Sequence, residues 1–123
     1  MTVFGLLAPL AILAVAVLHL GFFVLESFLW TKPVGRRVFG LSPELAAGSR
    51  SLALNQGLYN AFLAAGLIWS LFAGPCSFGV KVFFLSCVVI AGLVGGFTAK
   101  RSILVVQALP GAIALLLVFF TER

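Results

Sequence analysis

The sequence predicts an all-α integral membrane protein: a four-helix bundle within one domain, residues 1–123, with both termini on the extracytoplasmic side. Three observations carry this. First, 63% of the 123 residues are hydrophobic, 9% are charged, and the mean hydropathy is +1.25. A soluble domain carries roughly a quarter charged residues and cannot cover so much apolar surface; a disordered chain is poor in apolar residues. Second, the apolar residues gather into four runs near the roughly 20 residues that a helix needs to cross a hydrocarbon core. Third, the basic residues stand between the runs, unevenly on the two sides.

The first run covers 3–29. A cleaved signal peptide would need a basic start, a shorter apolar stretch and a small-residue cleavage site, and none is present. The connection 30–51 holds Lys32-Pro33, Gly35, Gly40 and Pro43. Within it Ser42-Pro43-Glu44 reads as a helix start, with serine as cap and proline in the first turn, predicting a short interfacial helix. The second span covers 52–73 and ends at Gly74-Pro75. The third covers 80–98 and the fourth 103–120, separated by Lys100-Arg101. Lys32, Arg36, Arg37, Arg50, Lys100 and Arg101 then share one side, against Lys81 and Arg123 on the other. The positive-inside rule makes loops 30–51 and 99–102 cytoplasmic.

On this topology the polar residues of the spans gather toward the cytoplasmic side. His19 and Glu26 are seven residues apart, on one helix face and about 10 Å from each other. Asn55, Gln56, Tyr59 and Asn60 occupy the first half of the second span, pairing at i, i+4 as Asn55–Tyr59 and Gln56–Asn60. Gln107 lies one turn into the fourth span. Unpartnered amides and carboxylates are costly in lipid. The economical arrangement is therefore a polar pocket opening to the cytoplasm, formed by His19, Glu26, Trp30, Asn55, Gln56, Tyr59, Asn60 and Gln107, with Tyr59 and Trp30 as aromatic walls. Each member also has a structural role open to it. The amides lock helices together, Glu26 pairs with Arg50 or Lys32, His19 bonds to Tyr59 or an amide, and Trp30 anchors at the interface, as Trp69 does on the outer face.

Gly92 and Gly96 form a GxxxG pair for close helix packing, within the chain or between copies. Gly57, Ala61, Ala64 and Ala65 thin one side of the second span. Pro110 frees the carbonyl of Val106, predicting a local distortion beside Gln107. Cys76 and Cys87 lack zinc or redox-pair spacing. No metal cluster, cofactor motif or basic stripe with interleaved aromatics is present, so neither a cofactor nor nucleic acid is expected.

Glu26-Ser27-Phe28-Leu29-Trp30, Gly35 to Leu41 and Asn55 to Gly66 resemble a small bacterial family of four-helix membrane proteins, domain of unknown function thirteen hundred and four. Gly92 to Thr98 and Gln107-Ala108-Leu109-Pro110 are also similar. Asn-Gln-Gly-x-Tyr-Asn is the most specific string, and Gly111 stands where the family usually has alanine. The resemblance implies a compact membrane bundle in a bacterial inner membrane and lends no reaction or ligand. It singles out Glu26, Asn55, Gln56, Tyr59, Asn60 and Gln107.

Three functions follow from these residues. The first is binding or transport of a small amphiphilic or cationic ligand. Size and a first-helix glutamate are similar to the small multidrug exporters, although Glu26 lies near the interface and the charge bias fixes one orientation. The second is a membrane enzyme, glutathione-transferase-like or sterol isomerase-like, moving protons with His19 and Glu26. The third is an accessory subunit whose polar cluster only fixes helix register. Expected partners are membrane lipids, a small amphiphile and a second copy of the chain.

Overall fold

The computed structural model describes residues 2–123, and among these the regular structure is entirely helical. A 3₁₀ turn, Phe4–Leu6, leads into α1 (Leu7–Ser27). Two short helices follow, α2 (Pro33–Phe39) and α3 (Pro43–Gly48), and then α4 (Arg50–Ser70). A 3₁₀ turn at Gly74–Cys76 precedes α5 (Ser77–Thr98); a π-helical turn at Leu104–Ala108 runs into α6 (Leu109–Glu122).

Three segments are long and apolar enough to cross a membrane, Val3–Ser27, Gly74–Thr98 and Leu104–Glu122, consistent with an integral membrane protein. The expected second span forms a helix of matching length: α4, like α1, has 21 residues, about 32 Å. It does not reach the hydropathy of the other three, because Asn55, Gln56, Tyr59 and Asn60 fall within one stretch of it.

The chain divides into two compact units, residues 2–17 with 63–123, and residues 18–62, the divisions falling within α1 and α4. The first unit holds the apolar core: Ala8, Ile12, Val15 and Ala16 of α1, Leu67 of α4, Leu85 and Val88 of α5, Ala114 and Val118 of α6. Their spacings of three and four residues place each set on one helix face. Small residues bring these helices together, as dispersion-driven packing in lipid requires. A Cβ on Gly92 would lie 2.5 Å from the Ala108 backbone nitrogen, and one on Gly111 2.8 Å from Val88 Cγ1. Gly92 and Gly96 are thus both buried by the chain itself, against Ala108 and Leu104. The π-helical turn ends two residues before Pro110, where Leu109 N–H bonds to Leu104 O; this is the distortion that the proline predicts beside Gln107. Buried Lys81 and half-buried Glu122 form an ion pair joining α5 to α6.

In the second unit, α1 and α4 meet closely at Gly57. Here a Cβ would overlap Ser27 Oγ and come within 3.2 Å of Glu26 Cβ and of the Phe23 carbonyl oxygen. The expected cap is present, with Ser42 Oγ accepting from Leu45 N–H at 3.1 Å. α2 is a further short helix, opened by Pro33 and closed by Gly40 at φ +65°, a left-handed cap that favours glycine. Gly35 is buried against the Leu29 carbonyl, an approach with no room for a side chain.

Candidate functional site

Seven of the eight residues singled out in the sequence lie in the unit 18–62; Gln107, half-buried in the π-helical turn, belongs to the other. Glu26 and Asn60 meet directly: Asn60 Nδ2 donates to Glu26 Oε1 at 2.5 Å. The carboxylate's partner is therefore an amide on α4, not Arg50 or Lys32. The antiparallel run of the two helices explains it, since Gly57 abuts Ser27 and Asn60, one turn further along α4, falls opposite Glu26. A carboxylate that accepts a buried amide is bound more firmly than one left at the headgroup level.

His19 is fully buried and sets its ring edge-to-face against Phe22, with centroids 5.4 Å apart. Asn55 and Tyr59 pair along one helix face, as their spacing predicts, with Asn55 Nδ2 donating to Tyr59 Oη at 3.2 Å. Both are exposed on α4, as is Gln56, whereas Asn60, four residues on from Gln56, is buried. Trp30 has partners within the chain. Its Nε1 donates to Ser49 Oγ at 3.0 Å and its ring leans on Phe39, centroids 4.8 Å apart. Ser49 Oγ donates in turn to Leu45 O at 2.7 Å. One indole thus ties the end of α1 to α2 and to the junction of α3 and α4.

Beside the Ser27–Gly57 contact lies an open groove of about 520 Å³, lined by Phe23, Ser27 and Phe28 from the end of α1 and by Ser51, Leu52, Leu54, Asn55 and Leu58 from α4. Five of these eight side chains are apolar, and no ionised group lines it. The volume lies within the range of small-molecule sites, roughly 300–1,000 Å³. Of the residues singled out in the sequence only Asn55 lines it. The others escaped notice because phenylalanine and leucine at helical spacing look like ordinary core; the pairs Phe23–Ser27 and Leu54–Leu58, each four apart, were the available signal. Ser27 Oγ is buried without a hydrogen-bond partner. It is pressed toward Gly57, so it shapes the groove wall and offers no donor to the opening.

Two basic residues stand close in sequence to Phe28 and Ser51 of the lining. Arg50 directly precedes Ser51, Lys32 follows Phe28 by four residues, and both are exposed. The Trp30–Ser49 bond holds these two segments together. Among the described residues the one ion pair is Lys81–Glu122, so no carboxylate neutralises Lys32, Arg36, Arg37 or Arg50 at contact distance.

A family model described as a protein of unknown function, DUF1304, matches residues 13–119. The chain is 29% identical over 98 residues to the uncharacterized protein YpaA of Lactococcus lactis subsp. lactis (strain IL1403), which covers 78% of this chain and 82% of that one. No solved structure matches the chain.

Proposed function

The chain belongs to the DUF1304 family, and we propose that it is a four-span protein of a bacterial inner membrane, with loops 30–51 and 99–102 in the cytoplasm, that binds an amphiphile in the α1–α4 groove. One observation carries this reading: an open, mostly apolar groove of about 520 Å³ with polar groups, Ser51 and Asn55, toward the start of α4. Such a surface suits a chain or ring system whose polar end stays at the membrane interface. Counting α4 as a span rests on its length and on the pairing of Asn60 with Glu26 and of Asn55 with Tyr59, which lowers the cost of carrying amides into lipid. Glu26 is engaged by Asn60, so the geometry favours the amphiphilic ligand over the cationic one.

The test uses purified protein in detergent, with oleate, lysophosphatidylcholine, cholesterol and tetraphenylphosphonium as probes. Thermal unfolding is followed in the parent and in Leu54→Phe/Leu58→Phe, which fills the groove. A probe at a hundred times its dissociation constant adds about 2.7 kcal/mol. Stabilisation of the parent that the filled variant loses supports the reading. A probe set that stabilises neither protein, or both equally, overturns it.

A further inference from the structure

We propose that the groove takes an anionic phospholipid, with an acyl chain along Phe23, Phe28, Leu54 and Leu58 and an acidic headgroup held by Lys32 and Arg50; this rests on the reading of the groove as an amphiphile site.

Charge complementarity selects this occupant. The unit 18–62 carries four cations, Lys32, Arg36, Arg37 and Arg50, against two carboxylates, Glu26 and Glu44. Glu26 holds Asn60, and among the described residues neither carboxylate contacts a cation. The basic side chains are thus uncommitted, while Asn55, Asn60 and the Trp30 indole already have intrachain partners. Arg50 directly precedes Ser51 of the lining and Lys32 follows Phe28 by four residues, and the Trp30–Ser49 bond ties together the two segments that carry them. Apart from Ser27, Ser51 and Asn55 the lining is apolar. A molecule with one acidic end and a long apolar body matches both the cations and the lining. A zwitterionic headgroup brings its own cation toward Lys32 and Arg50, and a cationic amphiphile is repelled there. Outside the groove Val34 and Val38 are exposed on α2, which also carries Arg36 and Arg37, the pattern of a segment lying at a charged lipid surface.

The chain has two tryptophans, Trp30 and Trp69. Trp69→Phe therefore leaves Trp30 as a single reporter beside the groove. The full chain is reconstituted in vesicles of dioleoyl phosphatidylcholine containing either brominated phosphatidylglycerol or brominated phosphatidylcholine, and quenching of Trp30 gives their relative association. The expected result is a preference for the anionic lipid of roughly fivefold or more, from the attraction of each basic side chain near a charged headgroup. Lys32→Gln/Arg50→Gln brings the ratio to about one, and Leu54→Phe/Leu58→Phe lowers quenching by both lipids. A ratio near one in the parent, with quenching still lowered by filling the groove, overturns the headgroup assignment and leaves the groove reading standing. Quenching that groove filling does not change overturns the groove reading itself. Glycerol phosphate added to the buffer leaves the preference intact if the occupant is a membrane lipid; competition by the soluble anion assigns the site to free phosphate esters and overturns the lipid.

Discussion

Gly57→Ala is the sharpest probe of how α1 and α4 meet. In an isolated helix the exchange is favourable by about 1 kcal/mol, because alanine is the better helix former. Here the new methyl overlaps Ser27 Oγ, and its next neighbours, Glu26 Cβ and the Phe23 carbonyl oxygen, stand at 3.2 Å. The serine hydroxyl can be removed; the Phe23 carbonyl belongs to the α1 backbone and yields only by a few tenths of an ångström. Overpacking of this kind costs roughly 1–3 kcal/mol, so the single variant loses up to about 2 kcal/mol net of the helix-propensity gain. Ser27→Ala alone removes a buried hydroxyl without a hydrogen-bond partner, and is neutral or stabilising by up to about 1 kcal/mol. In that background Gly57→Ala meets only the 3.2 Å contacts and recovers the helix-propensity gain. The two substitutions therefore couple by about 1–3 kcal/mol, the size of the overpacking that Ser27→Ala relieves. Unfolding by titrating dodecyl sulfate into mixed micelles, followed by circular dichroism, measures all four corners of the cycle. Equal effects of Gly57→Ala in both backgrounds would refute the contact.

Other substitutions test the remaining packing and pairing. Gly92→Ala drives a methyl into the Ala108 backbone, whereas Gly96→Ala meets mainly the Leu104 side chain, which can turn aside; unfolding titrations should show the first losing about 2 kcal/mol more than the second. Glu122→Ala leaves Lys81 charged and buried and should cost about 3–5 kcal/mol, while Lys81→Met/Glu122→Leu should come close to the parent in the same titration. Asn60→Leu deprives Glu26 of its donor and should destabilise by about 1–3 kcal/mol, whereas Glu26→Gln keeps an acceptor for Asn60 and should unfold near the parent.

Much of this arrangement is legible in the sequence because helices are local. Three apolar spans, the Ser42 cap, the distortion before Pro110 and the Asn55–Tyr59 pair all follow from spacings of a few residues. The contacts that decide the site are not local. Glu26–Asn60 spans 34 residues and Trp30–Ser49 spans 19, with two short helices between them. No periodicity reports which amide meets a carboxylate across two helices; only the small residue Gly57 hints that α1 comes close there. The GxxxG pair shows the same limit. Its spacing predicts a tight contact, and only the structure shows that the chain's own Ala108 and Leu104 fill it.

The engagement of the polar side chains decides where function resides. A residue already bonded within the chain adds rigidity; one charged, exposed and unpaired remains available to a ligand. By that criterion Glu26 and Asn60 clamp α1 to α4, and Lys32 and Arg50 are the groups available to the proposed headgroup. The two roles separate in one comparison. In the Trp69→Phe background, Glu26→Gln retains the hydrogen bond with Asn60 and alters no group lining the groove, so the anionic preference read from Trp30 quenching should stay within about twofold of the parent. Lys32→Gln/Arg50→Gln should abolish that preference while leaving the unfolding midpoint unchanged, since exposed cations without partners contribute little to stability. The opposite pattern, selectivity lost in Glu26→Gln and kept without the two cations, would return the binding site to the carboxylate.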